Sequence, residues 1–307
     1  MSKKVIIGTR DSNLAMWQTK WVKKKLEEAH PHLDIEVKPI KTQGDKILDV
    51  ALSKIGDKGL FTKELEVAML DNTIDFAVHS MKDLPTVLPD GLVVSAITER
   101  HDPRDVVISK TGVKLKDLPE GAVIGTSSLR RQSQINNQRP DFKIKDIRGN
   151  LNTRMRKLEE GNYDAIILAA AGVERLDWAS KITEKLDIDK FLPAVGQGAL
   201  GIEARAGDDF ISEVVSVLND RDTSLAVRAE RAMLKTLEGG CQIPIGAHAY
   251  IDNDQIVLSG FVGSVDGKEL IRESKRGPVA SPEELGIALA ESLIASGALD
   301  ILRQIRN

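Results

Sequence analysis

The sequence predicts an α/β protein of more than one domain, on three observations. Short apolar segments alternate with amphipathic helical ones, that alternation starts again near Glu99, and a different pattern sets in from about Ser224. At 307 residues the chain also exceeds what a single core ordinarily serves.

The elements follow in order. "KVIIG" is a buried strand, followed by a helix from about Asn13 to Glu28 with Leu14, Trp17, Trp21 and Val22 at helical spacing. "DIEVKPI" alternates as a strand, and "TKELEVAML" is an amphipathic helix that Thr62 can cap. "DFAVHS" and "LVVSAIT" are strands again, so helices are expected to cover both faces of a largely parallel sheet. After the restart, "DVVIS", "AVIGT", "FKIKDI" and "AIILAAAG" are expected strands, with helices from near Ser127 and Asn150. "LPAVGQGALGIEAR" then places glycines on either side of Gln197, which predicts a hinge leading into a further strand. The chain is therefore expected to leave a first domain near Thr98, build a second, and return after Gly198. Beyond Ser224, a helix in "SLAVRAERAMLKTLE" precedes "EGGCQIPIG". The strands "AHAYID", "QIVLSGFVG" and "KELIRES", with a turn at Asp266-Gly267, and a helix from Pro282 to Ala295 complete a small α+β domain.

Composition narrows the function classes. A net charge of −3 argues against a general nucleic-acid binder, and 4% aromatic residues leave few platforms for stacking bases. No apolar run is long enough to span a bilayer, and "MSKKVIIGTR" is not a secretory leader. Cys241 is the one cysteine, so no internal disulfide can form and the cytoplasm is the expected compartment.

Cys241 lies in a glycine-flanked turn, where a thiol is accessible; a small buried hydrophobe is the competing reading. A zinc site is disfavoured because a second cysteine is lacking and the histidines lack ligand spacing. A cysteine–histidine hydrolase using His79 or His248 stays open, although nothing pairs them in sequence. Asp83 follows the strand "DFAVHS", at the end where open α/β sheets gather ligands, which suits an acid or a counter-ion for a developing cation. A solvated Lys82–Asp83 loop pair is the plain alternative.

"GTSSLRRQ" offers Thr126, Ser127 and Ser128 as hydroxyls and a cap, then places Arg130 and Arg131 in a first helical turn, against the dipole. That broken rule predicts a compensating anion held by the guanidiniums. "IRGNLNTR" repeats the arrangement with Arg148 and Arg154, and Arg10 and Arg175 follow other predicted strands. Arginines at several such junctions imply a cleft for several negative charges.

Taken together, "GTRDSNLAMWQ", "GDKGLFTKELE", "AVHSMKDLPT", "ERHDPRD", "GTSSLRRQ", "IRGNLNTR", "LAAAGVERL", "LPAVGQGALGIE" and "EGGCQIPIGAHA" resemble, in order and over the whole length, the porphobilinogen deaminase (hydroxymethylbilane synthase) family. The resemblance implies three domains: two hinged, doubly wound α/β domains like those of periplasmic binding proteins, plus a small α+β C-terminal domain. The expected boundaries are 1–98 with 199–218, then 99–198, then 219–307. It implies a dipyrromethane cofactor, made by the protein from its own substrate and anchored by a thioether to Cys241. The reaction implied is condensation of four porphobilinogen molecules with loss of ammonia, through an azafulvene-like electrophile, and hydrolytic release of linear 1-hydroxymethylbilane.

Asp83 matches the family's catalytic carboxylate. Ser80, Lys82, Thr126, Ser127, Ser128, Arg130, Arg131, Arg154 and Gly172 match cofactor contacts, and Arg10, Arg148, Arg175, Lys58, Phe61 and Gln197 match substrate contacts. "GDKILDVALSKIGDKGLF" resembles a mobile lid, and no metal is implied. Val173 and Asp177 stand where the family pattern leads one to expect Leu and Gly. A monomer is the family expectation, with neither nucleic acid nor membrane as partner. The competing reading is a non-catalytic two-domain anion-binding protein, which leaves the "GGC" loop unexplained.

Overall fold

The computed structural model describes residues 3–46, 59–237 and 243–306. The chain opens with β1 (Lys4–Thr9), α1 (Asn13–Ala29), β2 (Asp34–Pro39), a short α2 (Gln43–Lys46), α3 (Lys63–Leu70), β3 (Phe76–Ser80) and β4 (Leu92–Ile97). Ser12 starts α1 by accepting the Ala15 N–H on its hydroxyl, at 3.3 Å. The buried face of α1 is Ala15, Gln18, Thr19, Val22 and Leu26; of the expected stripe Val22 is buried and Trp21 packs partly buried against the core, whereas Leu14 and Trp17 are not part of that face. Leu14 instead borders the central cleft and Trp17 lies near the Arg175 guanidinium. Thr62 occupies the N-cap position of α3 but makes no capping bond, because its backbone (φ −121°, ψ −31°) is not the extended conformation a cap needs.

A second set follows: β5 (Asp105–Ser109), β6 (Val123–Gly125), α4 (Leu129–Gln138), β7 (Lys143–Lys145), α5 (Leu151–Glu159), β8 (Ala165–Ala169), α6 (Ala170–Arg175) and β9 (Glu184–Lys185). The expected strand "AIILAAAG" stops at Ala169, and the small residues after it form the first turn of α6. The chain then returns through β10 (Leu200–Arg205) and α7 (Asp209–Ser216), a helix the sequence reading passed over.

In each sheet four of the five strands run the same way, as expected, and one opposes them. The first has the order β2-β1-β3-β10-β4 and the second β7-β6-β8-β5-β9; β10 and β5 run antiparallel to both their neighbours. The other adjacent pairs are parallel. The reason is topological: β5 and β10 are the strands reached by crossing from one sheet to the other. Each begins beside the end of a neighbour, Leu200 against Ser80 and Asp105 against Ala169, so it starts where the others stop. The two crossing peptides run together, with Thr98 N–H donating to Leu200 O (3.0 Å) and Leu200 N–H to Thr98 Oγ1 (3.2 Å). Gly196 (φ +71°) and Gly198 (φ +98°) flank Gln197 there; a side chain on Gly198 would also strike His101 O.

The last segment is α8 (Arg221–Thr236), the antiparallel β11 (Ile245–Asp252), β12 (Gln255–Gly263) and β13 (Leu270–Pro278), then α9 (Pro282–Ala295) and α10 (Ala298–Arg306). The strands and α9 match expectation; α10 was not foreseen. Met233, Leu258, Leu289, Leu293 and Leu302 centre its core. Glu230 on α8, fully buried, joins this unit to the crossings by accepting from Arg100 Nη1 (2.8 Å), Gly196 N (2.8 Å) and Ala249 N (2.7 Å). Among the described residues, no single helix is long and apolar enough to cross a membrane.

Candidate active site

The cleft is built where strands end and crossings begin. After β3 the chain makes one tight turn, Met81–Asp83, with both ends fixed. Met81 is buried, its N–H donates to Ala199 O (3.0 Å), and it packs against Gly196 and Gly201. Beyond the turn, Arg231 of α8 donates to Leu84 O (3.1 Å) and Pro85 O (2.6 Å). Lys82 and Asp83, both partly exposed, are thus displayed from an anchored frame. Among the described residues no hydrogen-bond donor occupies the Asp83 carboxylate, although its charge acts on both Lys82 and Arg154.

One pocket brings together seven of the expected site residues: Ser80, Lys82, Arg131, Arg154, Gly172, Arg175 and Gln197. It adds an apolar wall of Leu14, Leu151, Leu168, Ala169 and Ala171, which the charge-directed sequence reading missed, and Gln18, whose Nε2 donates to Ser80 Oγ at 2.9 Å. A methyl on Gly172 would press Leu151 at 3.2 Å, so the bare backbone here spares the apolar wall that crowding.

The cations are held by ordinary local rules. Arg154 donates from Nε to Gly149 O (2.9 Å), and Asn150 caps its helix by accepting from Thr153 N (2.9 Å). Arg175 donates to Gly198 O (2.8 Å) and closes the last turn of α6, where a cation is favoured; it does not follow a strand directly, as its sequence context suggested. Asp177 just beyond it has φ +59°, the left-handed region in which glycine was expected and which aspartate tolerates.

The compensating anion expected for Arg130 and Arg131 is within the chain. Asp105, fully buried at the start of β5, accepts from Arg130 Nη1 (2.7 Å) on one oxygen, and from Arg131 Nη2 (2.7 Å) and Nε (3.2 Å) on the other. The two guanidiniums hold its carboxyl well below the usual carboxylate range, against the opposing effect of burial. Arg130 also donates to Leu192 O (2.7 Å) and does not line the pocket, whereas Arg131 does. Thr126, Ser127 and Ser128 serve the local fold: Thr126 Oγ1 accepts from Ser128 N, Ser127 Oγ exchanges bonds with Ile147, and Ser128 caps α4. Asp105 was the principal omission of the sequence reading; its place beside "PR" in "ERHDPRD" was the available signal.

At the cleft margin the Arg10 guanidinium lies 4.2 Å from the Phe61 ring centroid. Phe61 packs on Gly44, and Gly44 N–H donates to Leu60 O (2.9 Å). Arg148, on the loop after β7, is close enough to act electrostatically on Arg154. Lys58, most of the expected lid and Cys241 lie outside the described residues. His79 is buried 2.9 Å from Glu203, and burial holds the other histidine considered as a base, His248, down to about 4.

Confinement shapes the cleft's charge. Burial, followed by the neighbouring arginines, depresses Lys82 to about 8, while Asp83 and Asp105 oppose the fall. Burial likewise brings Arg154 and Arg175 to about 10. For Lys82 the folded value lies below its usual 10.5, so the unfolded chain binds more protons between about pH 8 and 10.5 and stability rises with pH across that window. Ligand carboxylates act the other way by holding the proton on. Affinity for a polycarboxylate probe such as mellitate therefore falls as pH rises above about 8, and Lys82→Met removes that limb. Titration calorimetry between pH 7 and 10 measures it; an unchanged limb in the variant would exclude Lys82 as its source.

An α/β scaffold with a cleft lined by cations beside an apolar wall defines a protein built to receive an anionic ligand with apolar surface. Residues 5–213 match the family model "Porphobilinogen deaminase, dipyromethane cofactor binding domain" and residues 224–295 match "Porphobilinogen deaminase, C-terminal domain". The chain belongs to the porphobilinogen deaminase family. The porphobilinogen deaminase of Carboxydothermus hydrogenoformans is 57% identical over 307 residues, covering 100% of this chain and 99% of its own. That of Gloeobacter violaceus is 57% identical over 310 residues, covering 99% and 94%. Among solved structures, the periplasmic aliphatic sulphonate binding protein SsuA of Escherichia coli aligns with a TM-score of 0.43 at 14% identity, covering 78% of this chain and 71% of that one. That likeness is too distant to bear on function.

Proposed function

We propose that Asp83 is the catalytic carboxylate of this porphobilinogen deaminase and that Cys241 anchors its dipyrromethane group through a thioether. The enzyme condenses four porphobilinogen molecules with release of ammonia and hydrolyses off linear 1-hydroxymethylbilane. The observation that supports this reading is the pocket: Lys82, Arg131, Arg154 and Arg175 line one small space beside an apolar wall, and Asp83 shares the Met81–Asp83 turn with Lys82. Pyrrole rings bearing acetate and propionate groups fit that donor set. When bound, the dipyrromethane supplies the nucleophilic ring carbon to which successive substrates are joined.

The chain's own residues do the rest. Arg131, Arg154 and Lys82 bind carboxylates of the resident group; Ser80, Thr126, Ser127, Ser128 and Arg130 shape that side, and Gly172 leaves room for a ring. Arg10, Arg148, Arg175, Lys58, Phe61 and Gln197 serve incoming substrate. Asp83 faces pyrrole N–H groups and stabilises the positive charge that develops on them, its oxygens being left free by the described residues. Gly196 and Gly198, beside paired crossing peptides, support a hinge between domains comprising 1–98 with 199–218 and 99–198, with 219–307 as the third. A monomer in the cytoplasm completes the reading.

The test is the intact mass of the purified protein. A mass above that of the polypeptide by two porphobilinogens less two ammonias, with further porphobilinogen-dependent increments on incubation, is expected. An unmodified mass that stays unmodified with porphobilinogen would overturn the covalent assignment.

A further inference from the structure

Gln197 and Arg131 both face the cleft, and both are bound from behind by one carboxylate. Gln197 Nε2 donates to Pro103 O (2.7 Å) and to Asp105 Oδ1 (3.0 Å). An amide nitrogen has two N–H groups, so both are used and the amide cannot flip. Its oxygen is thereby turned to Lys82 Nζ, at 3.5 Å. Arg131 gives Nε and Nη2 to Asp105 and Nη1 to Ile167 O (2.8 Å), three of its five N–H groups, which leaves one on each terminal nitrogen for a ligand.

We infer that Asp105 is a positioning residue of the cleft: it fixes the Arg131 guanidinium and the Gln197 amide so that Arg131 and, through Gln197, Lys82 present their donors to ligand carboxylates. This rests on the proposed function. Two further features separate the inference from simple packing. Asp105 is the first strand residue after one crossing peptide and Gln197 lies on the other, so their bond ties the two crossings together where the pocket forms. In addition, one carboxylate between two guanidiniums leaves a net positive charge, so the site stays attractive to anions while two adjacent arginines are tolerated in the interior.

The test compares Asp105→Asn, Asp105→Glu and Gln197→Met in the full-length protein. Lys82 is titrated by competitive acetylation with acetic anhydride read by mass spectrometry, and porphobilinogen turnover is followed in parallel. Removing the Asp105 charge takes away one influence that keeps Lys82 protonated, so Asp105→Asn moves the Lys82 midpoint down by about half a pH unit or more. Asp105→Glu keeps the charge but displaces it by a methylene; the midpoint stays and kcat/KM falls about tenfold or more. A folded Asp105→Asn protein with an unmoved midpoint, or Asp105→Glu with wild-type kcat/KM, overturns the inference. Should either acidic-site variant fail to fold, Gln197→Met decides: it leaves the arginine pairs intact, and an unchanged kcat/KM overturns the link to Lys82. If the wild-type protein never consumes porphobilinogen, the proposed function fails, whereas the Lys82 titration still tests Asp105.

Discussion

Asp83→Ala leaves the fold intact and lowers porphobilinogen turnover by about a hundredfold or more, the range expected when a charge-stabilising or proton-transferring group is removed. The fold survives because the turn is held by its neighbours. Met81 and Leu84 are buried, and the carbonyls of Leu84 and Pro85 are gripped by Arg231, while no described residue hydrogen-bonds to the Asp83 carboxylate. The loss falls on kcat more than on KM if, as proposed, the carboxylate acts on charge that appears in the transition state. A second consequence follows from the sign of its effect on Lys82. Asp83 helps to keep that ammonium protonated, so its removal also brings the alkaline limit of anion binding to lower pH. Steady-state kinetics with a melting curve checks the first point; turnover close to wild type in a folded Asp83→Ala protein would remove Asp83 from its role.

Cys241→Ser abolishes turnover and returns the intact mass to that of the bare polypeptide. A serine hydroxyl ionises far less readily than a thiol and is a much weaker nucleophile, so it cannot form the corresponding bond at a useful rate. The variant separates anchoring from binding. The cations of the cleft belong to other elements, so it retains affinity for a polycarboxylate probe. Undiminished condensation by Cys241→Ser would show that the resident group is held by something other than this thiol.

Much of this was legible in the amino-acid order. Short apolar runs, alternation in β2, and helical spacing or cap residues located β1 to β6, α4, α5, α8 and α9; strands such as β3 and β5 read as continuous apolar runs because both their faces are buried. The loops named as ligand-binding carry seven residues into one pocket, since strand ends are where an α/β sheet leaves space. Boundaries were less legible. Residues 170–173 continue the apolar run of β8 without a break, so composition alone could not show that a strand had become a helix. On α1, Gln18 and Thr19 are buried while Leu14 borders the cleft, because the helix lies between a core and a binding site and hydropathy does not distinguish the two.

What the sequence by itself determined is the family, the alternation of elements, and the kinds of side chain that gather at strand ends. These are carried by local order and survive without knowledge of long-range contacts. What only the tertiary structure decided is strand direction and the pairing of charge. β5 and β10 run against their neighbours because the chain enters each from the opposite sheet, a fact of topology that no local pattern records. The partner of Arg130 and Arg131 proved to be Asp105, 25 and 26 positions away, and the amide of Gln197 reaches the same carboxylate across 92 positions. Electrostatic attraction acts through space, so such partners become identifiable only when the chain has folded and excluded the water that would otherwise screen them.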